Sequence, residues 1–270
     1  MSLYASTIAT VICSALLLVL AAFRVRSNQK LSDFWMVMAL SQFPVALITY
    51  VLIAVASARQ ARYDLYLNAV DSLFRFPANH LAIFLGEHSV LRSICIADYL
   101  YWWIPIWIAL LATASWDIGE AWRALATYIL SGILAIPIYL LVPASGPATI
   151  VPNFPAIYQG PVHVLFAAGG PLGHIAPDNC VPSEHFTVAI LALWFLRKSK
   201  PLLILGSVNA VLTAVATLGL GAHYLVDLLL ALPYTWFVIK LPEWIMLWRQ
   251  GRTAEPALPA TDRHSAGSQA

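Results

Sequence analysis

Charge is what this sequence has least of. Only 10% of its 270 residues are Asp, Glu, Lys or Arg, where a soluble domain carries about 25%. Such a chain cannot cover itself with polar surface, so a water-soluble globular domain is excluded. Cysteine is nearly as scarce. Cys13, Cys95 and Cys180 show no paired spacing, which excludes a zinc ribbon and a dithiol redox motif. Cys13, inside an apolar run, reads as packing, and Cys180 as a small semi-buried loop residue. The formal net charge of +2 gives no reason to expect a nucleic-acid partner. The first apolar run has no basic segment ahead of it, so it is expected to be kept as a span rather than cleaved.

What is present is apolar length. Hydrophobic residues make up 60% of the chain and the mean hydropathy is +0.77. The expectation is an all-α polytopic membrane helical bundle with about seven spans, at 3–23, 34–58, 99–115, 124–142, 183–196, 201–220 and 224–248. Tyr99, Tyr101, Trp102 and Trp103 read as an aromatic belt at the start of the third. Residues 61–98 mix apolar positions at helical spacing with Asp64, Asp71, Asp98 and other charged groups. They read as amphipathic helices at the membrane interface, the acids forming a solvated face. Residues 143–181 are rich in Pro and Gly and read as a folded lid or interfacial loop. The chain thus divides into N-terminal spans (1–60), interfacial helices (61–98), a membrane core (99–248) and a disordered cytoplasmic tail (249–270).

Basic clusters set the orientation. Arg24, Arg26 and Lys30, then Arg197, Lys198 and Lys200, then Arg249 and Arg252 follow the first, fifth and seventh spans. Lys and Arg sort to the cytoplasm. The N-terminus is therefore expected outside and the C-terminus inside, against a smaller opposing signal from Arg59 and Arg62. This topology puts the 143–181 loop, His185 and His223 together on the extracytoplasmic side of a cell membrane.

Those histidines mark the chemistry, since ionisable groups at the edge of a span are costly to place. His223 and Asp227 are four residues apart at a helix start and share a face. Asp227 is expected to accept from one ring nitrogen of His223 and leave the other free as a nucleophile. Gly219 and Gly221 would let a ligand approach the backbone. Ser183 is suited to cap the fifth span, whose first amides would form an anion site beside His185. A polar pair holding helices together is the plainer reading of His223 and Asp227.

Pro182-Ser183-Glu184-His185, followed one helical hairpin later by Gly221-Ala222-His223-Tyr224-Leu225-Val226-Asp227, resembles the type 2 phosphatidic acid phosphatase superfamily. The second motif is closest to the branch that includes inositol phosphorylceramide synthases. Residues 139–147, from Tyr139 to Pro147, resemble that branch's first motif region. The resemblance implies a six-helix phosphatase-like core plus the interfacial helices. It also implies a metal-independent phosphatase or phosphotransferase with no cofactor, acting on a lipid phosphate among membrane lipids. His223 would take the phosphoryl group, Asp227 would orient it, and His185 would protonate the leaving oxygen. Ser183, Glu184, Asn179, Gly221, Ser145, Gly146 and Tyr139 are the implied substrate-binding residues. The sequence departs from the superfamily where basic residues are usual: Ser145-Gly146-Pro147-Ala148, Ala216-Thr217 and Asp178-Asn179 carry none. Glu184 stands where a small or apolar residue is usual. Arg62, Arg75, Arg92 and Arg123 are the remaining candidates to neutralise a phosphate. Without such a cation, the competing reading is a lipid-binding or transport protein of the same fold. A metal site on Glu184, His185, His223 and Asp227 is the third.

Overall fold

The computed structural model describes residues 32–41, 63–75, 77–150, 154 and 180–253. Among them every regular element is a helix. The expected span at 3–23, most of the one at 34–58, Asn179, most of the 143–181 loop and the tail beyond 253 lie outside the described residues. After a helical stretch at 32–41 come α1 (Asp64–Ser72), α2 (Pro77–Glu87), α3 (Ser89–Leu100), α4 (Ile104–Trp116) and α5 (Ile118–Leu141). A single turn at Pro147–Ile150 precedes α6 (Glu184–Leu196), α7 (Lys200–Gly219) and α8 (Leu225–Thr253).

Three helices, α5, α7 and the Leu225–Ile245 part of α8, are long and apolar enough to cross a membrane. The pair α3 and α4 makes a fourth if its 62° bend lies within one span. Two expectations change. The third span does not begin at Tyr99: the helix breaks at residues 101–103 and restarts at Ile104. Pro105 sits in the first turn of α4, and its ring and missing N–H suit a helix start but not a helix interior. The fifth segment is a helix shorter than a full-length span. α6 has 13 residues, about 20 Å of rise against a hydrocarbon core of about 30 Å.

α6 is instead the helix the others enclose. It packs against α4, α5, α7 and α8, with Leu191, Phe195, Leu110, Leu125 and Tyr128 in one buried cluster. Lipid tails are as apolar as leucine, so close packing rather than water exclusion favours such contacts. Small residues serve that end. Gly206 on α7 leaves room for Leu193, whose Cα lies 3.4 Å from where a Cβ would be. At one end of the bundle Arg123 pairs with Glu243 and Glu120, and Lys198 also pairs with Glu120. Glu243 lies 16 residues beyond Asp227 on α8, roughly 24 Å along the helix. Arg123 is therefore held far from the two histidines and is not their phosphate cation.

Candidate active site

The starts of α6 and α8 are tied together, and that places the histidines. Ser183 caps α6, its hydroxyl accepting from the Phe186 amide at 3.4 Å. The Ser183 amide donates to the Asp227 carbonyl at 3.4 Å. The Tyr139 hydroxyl donates to the Pro182 carbonyl at 3.0 Å. Tyr139, implied to bind substrate, is 1% exposed and secures this loop to α5. At the end of α7 the chain reverses through Gly221, and the Ala222 and His223 amides both donate to the Thr217 carbonyl.

His185 follows directly on the cap. Its ring stacks on Tyr99 at 4.3 Å between centroids, with Trp102 at 5.6 Å, and it bonds to the Tyr99 backbone. Two members of the expected aromatic belt thus line the site. The His223 ring meets His185 edge to face at 5.8 Å. The sequence brings these two rings together from segments 38 residues apart.

The orientation of His223 differs from expectation. Its Nδ1 lies 2.9 Å from the Cys180 carbonyl and 3.5 Å from Asp227 Oδ2. A carbonyl only accepts, so Nδ1 carries the proton and Nε2 of the neutral ring has a free lone pair. Asp227 Oδ2 is engaged elsewhere: it accepts from the Cys180 thiol and from the Tyr224 amide, each at 2.7 Å. Burial, and then the neighbouring Asp227 charge, push the Cys180 thiol well up, which keeps it a donor. Asp227 Oδ1 is buried and without a partner among the described residues.

Two acids expected on a solvated face are interior. Asp64 and Asp71 are 1% and 2% exposed. Asp64 accepts from the Ser145 and Gly146 amides, each at 3.0 Å, and from the Tyr224 hydroxyl at 3.1 Å. Asp71 accepts from the Leu225 and Val226 amides at 3.0 and 3.3 Å. Burial raises the Asp71 carboxyl above its ordinary value, although those amides oppose it. The amides of Ser145 and Gly146, implied to bind phosphate, therefore hold a carboxylate of the chain itself. The spacing of seven residues, which puts Asp64 and Asp71 on one face of α1, was the signal for this.

Gly221 and Gly146 are needed by the protein itself. A Cβ on Gly221 (φ +72°) would lie 2.5 Å from the Phe154 ring, so ligand does not fill that space. A Cβ on Gly146 (φ +93°) would lie 2.4 Å from the Ala222 carbonyl oxygen. Gly146→Ala is expected to cost on the order of 3 kcal/mol, from an unfavourable backbone region and a clash with backbone. Thermal unfolding in detergent checks this, and turnover should fall with it because the displaced carbonyl adjoins His223. An unchanged unfolding midpoint would refute the close approach.

Glu184 does not sit free beside the histidines. The Ser131 hydroxyl on α5 donates to its Oε1 at 2.7 Å, and the residue is buried. The ligand set of the metal reading also changes. Cys180, His223 and Asp227 offer ligand atoms within 4.8 Å of one another, and this group includes neither Glu184 nor His185. Cys180, Asp64, Asp71, Tyr99 and Ser131 are the site's residues that motif reading passed over.

The fold and the site define an all-helical membrane protein with two facing histidines, one with its Nδ1 bonded to a backbone carbonyl, and a buried carboxylate. A family model of the PAP2 superfamily matches residues 65–241, roughly two-thirds of the chain, and the chain belongs to that superfamily. Its members are generally phosphatases, which supports phosphoric-ester hydrolase activity. No curated protein and no solved structure matches the chain significantly.

Proposed function

We propose that the protein is an integral membrane lipid-phosphate phosphatase or phosphotransferase, working at the extracytoplasmic face through a phosphohistidine on His223. The observation that carries the reading is the committed tautomer: Nδ1–H points to the Cys180 carbonyl, leaving the Nε2 lone pair available. Nε2 attacks phosphorus, the bond to the ester oxygen breaks, and His185 protonates that oxygen. His185 then takes a proton from water, or from an alcohol acceptor, whose oxygen displaces Nε2. The first amides of α6 have no carbonyl one turn back to bond and suit the phosphate oxygens. The resemblance of residues 221–227 to the inositol phosphorylceramide synthase branch favours transfer over hydrolysis.

An amphiphilic substrate is supported by a cleft of about 320 Å³ lined by Asp98, Tyr101, Ala189, Ala192, Leu196 and Asn209, among others. Ala189, Ala192 and Leu196 follow His185 by 4, 7 and 11 residues, so they share its face of α6. A lipid chain would lie there with its phosphate at the histidines.

One observation favours the lipid-binding alternative: Asp64 occupies the Ser145 and Gly146 amides, removing two donors from a phosphate. Phosphate release and headgroup transfer by the purified protein, measured over a panel of lipid phosphates with chelator present, separates the readings. Turnover that chelator leaves intact is expected. Lipid binding without turnover over the whole panel would support the alternative, and turnover abolished by chelator would sink the metal-independent mechanism.

A further inference from the structure

We propose that Cys180, His223 and Asp227 form a binding site for a soft divalent cation, with zinc the best match to the ligand set, and that occupation silences His223. Only the silencing rests on the reading of His223 as nucleophile; the binding does not.

The three ligand atoms already stand at coordination spacing. Cys180 Sγ is 2.7 Å from Asp227 Oδ2 and 3.5 Å from His223 Nδ1, and Nδ1 is 3.5 Å from Oδ2. A triangle with those sides has its corners about 1.9 Å from their common centre, and zinc bonds to S, N and O are about 2.0–2.3 Å. A zinc ion slightly out of that plane would lie within bonding distance of all three, and would take the place of the Nδ1 proton now aimed at the Cys180 carbonyl. The charges also match: one thiolate and one carboxylate neutralise a divalent ion, and a buried ion needs such compensation. Asp227 Oδ1 is a buried acceptor without a partner among the described residues. Thiolate and imidazole together favour zinc over the harder magnesium or calcium.

The consequence follows from proton placement. Zinc displaces the Cys180 thiol proton, which leaves to solvent, and takes the Nδ1 lone pair of His223. The neutral imidazole then carries its proton on Nε2. The lone pair that would attack phosphorus is gone.

The test uses full-length protein in detergent, stripped with chelator and titrated with cobalt and zinc. One equivalent of cobalt is expected to give a thiolate-to-cobalt absorption band that zinc abolishes. A Cys13→Ser/Cys95→Ser double variant should keep the band. Cys180→Ser should lose it and bind zinc at least tenfold more weakly, with Cys180→Ala as a second probe and circular dichroism as the check on folding. Zinc should inhibit the wild type reversibly, while each Cys180 variant, measured against its own zinc-free rate, should need at least tenfold more. Absence of the band, or its survival in Cys180→Ser, would overturn the site. A filled site with an undiminished rate would overturn the silencing. A protein that turns over no substrate at all would instead overturn the phosphoryl-transfer reading, with the cobalt band still deciding the site.

Discussion

His223→Ala is expected to abolish turnover on every phosphate ester the protein accepts, a loss on the order of 10⁴-fold or more, as when the nucleophile or base of a catalytic triad is removed. The reason is chemical rather than structural. His223 is 4% exposed and its ring touches His185 and Cys180, but its amide, not its side chain, forms the bond to Thr217. The variant should therefore fold and still bind lipid. Acid quenching of the wild type would destroy a phosphoramidate, so labelled enzyme must be trapped in alkali, where the P–N bond survives. Label is expected on the wild type and absent from His223→Ala. Asp227→Asn should cost less, roughly 10²–10³-fold. The Cys180 carbonyl still fixes the tautomer, and what is lost is the charge 3.5 Å from Nδ1 that stabilises the phosphorylated ring. Equal losses for the two variants would mean that Asp227, not Cys180, sets the ring. Turnover or trapped label in His223→Ala would end the phosphohistidine mechanism.

The largest effect on stability is expected from Asp64→Ala. The carboxylate accepts from two amides and a hydroxyl, all on the loops that carry the site. Each donor left unsatisfied in the interior costs about 1–3 kcal/mol. Three together approach the whole stability of an ordinary domain, about 5–15 kcal/mol. Asp64→Ala should lower the unfolding temperature steeply or prevent accumulation of folded protein. Asp64→Asn should be milder, because its carbonyl oxygen still accepts while its NH2 group faces a donor. Unfolding followed by tryptophan fluorescence in detergent reads both. An Asp64→Ala protein that melts at the wild-type temperature would show that the loops are held by something else. Asp71→Ala, which strands two amides at the start of α8, should fall between the two.

The sequence by itself determined the class of the molecule. Ten per cent charge over 270 residues leaves no alternative to burial in lipid, and the runs that became α5, α7 and α8 are visible as long, mostly apolar stretches. It also marked residues that the fold brings together. Ser183 is the cap it was expected to be, and His185 and His223, expected on one side of the membrane, meet ring to ring. What it could not supply is which acceptor each donor finds, because those partners come from remote segments. Asp64 looked solvated because its helix is amphipathic, yet it bonds residues 81 and 160 positions away. Cys180 looked like filler, yet its carbonyl, and not Asp227, is the nearer acceptor for His223. Glu184 looked like a charge facing the substrate, yet it bonds Ser131 across α5. Local sequence fixes helix, cap and apolar face, because those depend on neighbours within a turn. A buried polar atom must find whatever partner the packed fold brings within 3 Å or so, and only the tertiary structure decides which that is.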